Sequence, residues 1–148
     1  MLLVVAGSRH YNKETKRRDC LNDVITYNPL DKKWVDLKCD GTILEHRRYH
    51  SATIVGKHLL VYGGINSSEV YLSDIMVLTL GRANNRESKI NSFKWFKATS
   101  KGVKPGKLAF HTALLVLNPE RHRAPVPIDL FNIPEVRGYR AKVKVLIY

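Results

Sequence analysis

His50-Ser51-Ala52-Thr53-Ile54-Val55-Gly56 followed by Leu59-Leu60-Val61-Tyr62-Gly63-Gly64 is the stretch that decides the fold. Both runs are short and rich in β-branched residues, and Gly56 with Lys57-His58 parts them, so they read as two strands joined by a tight turn. Residues 59–62 are apolar at every position rather than at alternate ones. Such a strand belongs inside a sheet that is packed on both faces. Two further runs complete the unit, Asp74-Ile75-Met76-Val77-Leu78 and Lys94-Trp95-Phe96-Lys97-Ala98. The predicted strands a to d are therefore residues 50–55, 59–62, 74–79 and 94–99.

Working backwards, the same order recurs. Leu2-Leu3-Val4-Val5-Ala6-Gly7 matches the run ending in Gly63-Gly64, with Ala6 in the first glycine's place. Asp23-Val24-Ile25-Thr26-Tyr27 matches residues 74–78, and Lys33-Trp34-Val35-Asp36-Leu37 matches the Trp95 segment. Trp34 precedes His50 by 16 residues, and Trp95 precedes His111 by the same number. A third copy opens at His111-Thr112-Ala113-Leu114-Leu115-Val116, and Val143-Lys144-Val145-Leu146-Ile147-Tyr148 matches the strand that ends at Tyr62. The glycine pair supplies positive φ and close approach of a neighbouring group. One tryptophan per unit, Trp34 and Trp95, is expected to pack between units.

The pattern resembles the kelch repeat. Arg47 and His50 match its Arg-x-x-His opening, Gly63 and Gly64 its glycine pair, Tyr27 its tyrosine, and Trp34 and Trp95 its tryptophan. Leu108 stands where the third opening arginine would be, and Leu78 where the second tyrosine would be. The resemblance implies an all-β fold, a partial kelch-type β-propeller of four-stranded antiparallel blades, about two blade-equivalents long. Residues 1–39 would form a partial blade of strands b to d. Residues 40–99 would form a complete blade with a leading loop, and residues 100–148 a partial blade. Because repeat units bury their apolar faces on neighbours, two should be marginal alone. The expectation is a piece of a longer propeller, or a chain that pairs with copies of itself. Residues 8–22 read as a long b–c loop. Residues 118–141, with Pro119, Pro125, Pro127 and Pro134, read as an extended surface insertion.

Composition narrows the class. The chain has 148 residues, 44% hydrophobic and 26% charged, which is globular. No apolar run is long enough to span a bilayer, and no signal-peptide pattern is present. Cys20 and Cys39 share no metal or disulfide spacing, which fits free thiols in an intracellular, cytoplasmic setting. Asn66-Ser67-Ser68 matches a glycosylation sequon, a pattern frequent by chance. The formal net charge is +12, which suits nucleic acid, an acidic partner or an anionic membrane surface without choosing among them.

Catalytic motifs are sparse, and no cofactor or metal is expected. His46 and His50 are four apart, but on a loop and strand rather than a helix they do not share a face. His50 and His111 recur at equivalent positions, which favours a framework role alongside Gly63, Gly64, Trp34 and Trp95. Asp23 and Asp74 recur too and are expected to satisfy local backbone groups at the start of strand c. Binding residues concentrate on loops held by a rigid scaffold. The candidate partner-binding set is therefore Arg9, Tyr11, Lys16, Arg17, Arg18, Arg47, Arg48, Tyr49, Tyr71, Lys101 and Lys104, on the d–a and b–c connections. The functional expectation is a non-catalytic protein-interaction module, a scaffold or subunit of a larger assembly with an acidic protein partner and no membrane contact. The alternatives are a basic subunit associated with RNA or a ribonucleoprotein, and a fragment of a kelch-fold enzyme.

Overall fold

The computed structural model describes residues 2–80, 93–99, 105–117, 127–129 and 143–147. These residues hold eleven strands in three sheets and no helix. The first sheet is β1 (Leu2–Asn12), β2 (Arg17–Asn28) and β3 (Lys33–Asp36), antiparallel in that order. The second contains β4 (Cys39–Gly41), β5 (Ser51–Val55), β6 (His58–Tyr62), β7 (Ile75–Thr79) and β8 (Phe93–Ala98), in the order β4-β8-β7-β6-β5. The third contains β9 (Ala113–Leu117), β10 (Pro127–Asp129) and β11 (Val143–Ile147), in the order β10-β11-β9. Strands β5 to β8 form the complete four-stranded antiparallel unit, and β1 to β3 occupy positions b to d of the unit before it.

The unbroken apolar run in β6 has the consequence expected of it, since every residue of the strand is buried. Leu59, Val61, Met76, Leu78 and Trp95 face the first sheet and pack with Ala6, Val24, Leu3 and Val5. Leu60, Tyr62, Ile75, Val77 and Ala98 face the other way and meet Leu108 and Ala113. Each large side chain enclosed like this contributes about 1.5–3 kcal/mol relative to exposure. The middle sheet is thus held by burial on both sides, and it carries most of the core.

A backbone joint repeats between units. Gly7 N donates to Arg47 O at 2.9 Å, and Gly64 N donates to Leu108 O at 2.8 Å. Arg47 N donates to Leu21 O at 3.0 Å, and Leu108 N to Leu72 O at 3.2 Å. In each case the opening of one unit is clamped between strand b and the b–c segment of the unit before. The approach explains the glycines. A Cβ on Gly63, at φ +62°, would lie 2.5 Å from Leu108 O, and one on Gly64, at φ +100°, would lie 2.7 Å from Arg48 O. Ala6 keeps the same left-handed backbone, at φ 53°, without a glycine's freedom.

Three segments depart from the sequence expectation. Residues 8–22 are no loop: β1 and β2 run on as a hairpin as far as Asn12 and Arg17, with bulges between Val5 and Gly7 and between Ser8 and Tyr11. Local bonds close its turn, where Asn12 Oδ1 accepts from Glu14 N and Thr15 N and Lys16 takes a left-handed φ of 52°. Cys39–Gly41, where the end of the first partial blade and the start of a leading loop were expected, lies parallel on β8. Pro127–Asp129, expected within the long insertion, pairs antiparallel with β11 as an edge strand. Proline is tolerated there because the first residue of an edge strand can do without one ladder donor.

Candidate functional site

The b–c and d–a segments of the first two units come together where the β1–β2 hairpin leaves its sheet. Arg9, Lys13, Lys16, Arg17 and Arg18 are all exposed on this hairpin, against the acids Glu14 and Asp19. Tyr11 sits directly opposite Arg18 in the ladder, so the two share a face. Arg9, His10, Tyr11, Arg18 and Asp19 line an open cleft of about 710 Å³.

Arg48 ties the hairpin to the second unit. Its Nη1 donates to Arg18 O at 3.3 Å and to Cys20 Sγ at 3.4 Å, and its Nη2 pairs with the Glu69 carboxylate. The Glu69 hydrogen bond also pushes the guanidinium pKa up. Cys20 N donates to Ser67 Oγ, and Cys20 Sγ donates to Ile65 O. The loop holding Glu69 is folded around Asn66, whose Oδ1 accepts from Ser68 N and Val70 N while its Nδ2 donates to Glu45. The sequon asparagine is therefore engaged inside its own loop.

Beside Arg48, the rings of Tyr49 and Phe110 stack with centroids 4.1 Å apart and planes at 27°. Phe110 N donates to Tyr49 O at 3.0 Å. Both residues adopt left-handed backbone, at φ 57° and 60°. Such a conformation costs a non-glycine residue on the order of 1–2 kcal/mol. Both rings nonetheless stay in solvent, at 41% and 69% exposure. The Arg48 guanidinium carbon lies 5.4 Å from the Tyr49 ring centre. Val70 and Tyr71, also exposed, stand on the neighbouring loop. The face thus presents rigid apolar rings beside a basic arm.

The other sequence-derived candidates fall in different places. Arg47 is not on the surface but fully enclosed. Its two terminal nitrogens grip the Asp74 carboxylate at 2.8 Å each, and Nη1 also reaches Gly63 O. Asp74 therefore serves Arg47 rather than only its local backbone. Burial raises the Asp74 pKa, but the hydrogen bonds and charge of Arg47 outweigh that and hold it below the ordinary value. Arg48 is itself only 6% exposed, so it supports the face more than it forms it. Trp95 is buried in the core, whereas Trp34 is 56% exposed and rests on Tyr27 at 5.0 Å. Its expected packing between units has no partner among the described residues. Lys101 and Lys104 lie outside the described residues.

The histidines bind the joint. His50 lies beside Val5, and His111 beside Tyr62, at the equivalent strand-b position. His111 Nε2 lies 2.8 Å from Ser51 Oγ. That pair resembles a nucleophile and base, but Ser51 is enclosed and His111 Nδ1 has no carboxylate to orient it. Burial first, then the Arg47 charge, lowers the His50 pKa to about 4, and burial lowers that of His111. Among the described residues, no three His, Cys, Asp or Glu side chains gather in a way that could hold a metal ion.

Phe110 was missed from sequence although a signal existed: it immediately precedes His111, as Tyr49 precedes His50. In comparison with known families, the KLHDC2/KLHL20/DRC7 Kelch-repeats domain matches residues 1–119. The chain belongs to the kelch-repeat family. Among curated proteins, the kelch chain is similar to the dynein alpha chain of the flagellar outer arm from Chlamydomonas reinhardtii, with 27% identity over 96 residues. That match covers 64% of this chain and 2% of the dynein chain, so the chain spans only a small fraction of that relative's length.

Proposed function

We propose that this kelch chain is a non-catalytic protein-interaction module, a subunit or segment of a larger intracellular assembly, and that it binds an acidic protein partner through the face built on Tyr49 and Phe110. The observation that carries this reading is the exposed Tyr49–Phe110 stack, held in strained backbone beside the basic β1–β2 hairpin. Preordered aromatic side chains are favoured as interface anchors because little conformational entropy is lost when they are covered. Arg9, Lys16, Arg17 and Arg18 add steering charge at the rim, where they raise the encounter rate more than the final affinity. Tyr11 and Tyr71 extend the contact area. Arg47, fully enclosed, takes no part. Flagellar outer-arm dynein is itself a multi-subunit setting by name, which supports a place in a larger assembly.

The test is affinity capture with the chain, identification of the bound protein, and measurement of its affinity for three forms. The Tyr49→Ala/Phe110→Ala double variant should bind at least tenfold more weakly, from the loss of about 2 kcal/mol at an anchor. Arg17→Glu/Arg18→Glu should lower the association rate and flatten its salt dependence. Undiminished binding by both variants would remove this face. Tight, steeply salt-dependent binding to RNA homopolymers by the unmodified chain would favour the RNA alternative instead.

A further inference from the structure

The β1–β2 hairpin extends beyond the framework of the repeat. In the middle unit the opening segment pairs no further along than Ile65, where Arg48 bridges it, and Ile65 matches Ser8. Arg9 to Asn12 therefore lie outside what the repeat itself uses. The ladder is irregular there. Ser8 is opposite Cys20 and Tyr11 is opposite Arg18, so Arg9 and His10 stand against the single residue Asp19. Such a bulge bends its strand and re-aims the side chains on it. The open cleft that these residues line, about 710 Å³, has the size of a ligand site.

Arg9 and Arg18 come to this cleft from opposite strands, and both are exposed. Among the described residues neither guanidinium has a hydrogen bond or an ion pair, although Asp19 lines the same cleft. The backbone beneath them is braced: the enclosed Arg48 donates to Arg18 O, and Cys20 N donates to Ser67 Oγ. Two free planar forks suit an anion with more than two oxygens. One fork fills a carboxylate, whereas a phosphate monoester brings three acceptor oxygens and about −1.5 to −2 charge, enough for both. Asp19 adds an acceptor that a peptide N–H can fill, and its charge repels a continuous polyanion or an anionic lipid surface. That asymmetry favours a phosphorylated peptide segment over a nucleic-acid strand or a membrane.

We propose that the bulged cleft is a phosphate-binding site, and that its ligand is a phosphorylated side chain on the protein partner. Arg9 and Arg18 hold the phosphate oxygens, Asp19 accepts from a backbone N–H of the peptide, and Tyr11 packs on the residue that carries the phosphate. The site presupposes the interaction role proposed above and makes it conditional, because the partner's acidity then comes from a modification that can be added and removed.

The probes are pools of heptapeptides, degenerate except for a central phosphoserine, phosphothreonine or phosphotyrosine, and the same pools without phosphate. At least one phosphorylated pool should bind the intact chain about tenfold more tightly than its unmodified counterpart. Arg9→Gln/Arg18→Gln, at exposed side chains, should leave the melting temperature unchanged and erase that preference. Arg9→Lys/Arg18→Lys keeps the charge without the fork and should still bind the phosphorylated pool several-fold more weakly. The proposal is overturned if no pool prefers phosphate or if the lysine variant binds as the unmodified chain does. It is equally overturned if RNA homopolymers, or vesicles of phosphatidylcholine with phosphatidylinositol bisphosphate, bind the cleft more tightly than the phosphorylated pool. Phosphatase treatment of the captured partner separates this site from the aromatic face. Should the treated partner bind undiminished while Tyr49→Ala/Phe110→Ala weakens binding, the cleft fails and the face stands. Should treatment abolish binding that the double variant leaves intact, the face fails and the cleft stands.

Discussion

Arg47 and Asp74 form a two-pronged ion pair inside the middle unit, with both nitrogen–oxygen distances at 2.8 Å and no part of Arg47 exposed. Arg47 opens strand a and Asp74 closes the b–c loop, so the pair pins the start of β5 to the start of β7. A buried charge that loses its partner is costly, whereas loss of both together is much less so. Asp74→Ala should therefore destabilise the chain by about 3 kcal/mol. Arg47→Leu, which copies the residue at the equivalent position 108, should cost less when combined with Asp74→Ala than the two single costs added together. Urea unfolding of the four forms measures this; additive costs would mean that the pair is not coupled.

Stability should fall in mild acid through His50 and His111. Both titrate below the ordinary 6.5 when folded, His50 at about 4. A depressed histidine favours folding while it is neutral. Its contribution is complete above pH 6.5 and is lost as pH falls through the folded value. For His50 the loss is on the order of 3 kcal/mol between pH 7 and pH 4. Urea midpoints across that range should drop steeply, and His50→Gln should flatten the slope by close to one proton.

Ala6 is held at φ 53°, in the place where Gly63 stands in the next unit. Ala6→Gly removes left-handed strain of about 1–2 kcal/mol while adding freedom to the unfolded chain. A net gain of about 0.5–1 kcal/mol is expected. A lower thermal midpoint for the variant would show that the Ala6 methyl, buried beside Val24 in the core, outweighs the strain.

The two tryptophans should separate sharply. Trp95 is 3% exposed, and Trp95→Ala should cost about 3–5 kcal/mol. Trp34 touches Tyr27 but is 56% exposed, and Trp34→Ala should cost about 1 kcal/mol or less. Iodide should quench the emission of unmodified protein and leave that of Trp34→Phe largely untouched.

Much of the fold was legible because its signals repeat. Strand order came from the matched segments around Trp34 and Trp95, and two-sided burial of β6 from its unbroken apolarity. The hairpin extension was not legible, because Arg9, Lys13, Arg17 and Arg18 leave no apolar face whose alternation would announce a strand. Of the candidate site, Tyr11, Tyr49, Tyr71 and the hairpin bases were readable as loop residues. The burial of Arg47 was not, since its carboxylate partner lies 27 residues away and only folding brings the two together. Exposure of Trp34 was hidden for a related reason: a residue's periodicity tells which face it occupies, not whether anything covers that face.

The backbone bonds of the joint between units run from Gly7 to Arg47 in one case and from Gly64 to Leu108 in the other. Those bonds form with either an arginine or a leucine at the centre, and Arg47 adds side-chain bonds of its own to Gly63 and Asp74. Selection on the joint then acts on backbone shape at a handful of positions and leaves the rest free to drift. Ancestral copies joined in this way can lose nearly all resemblance to one another while the stack they build stays the same.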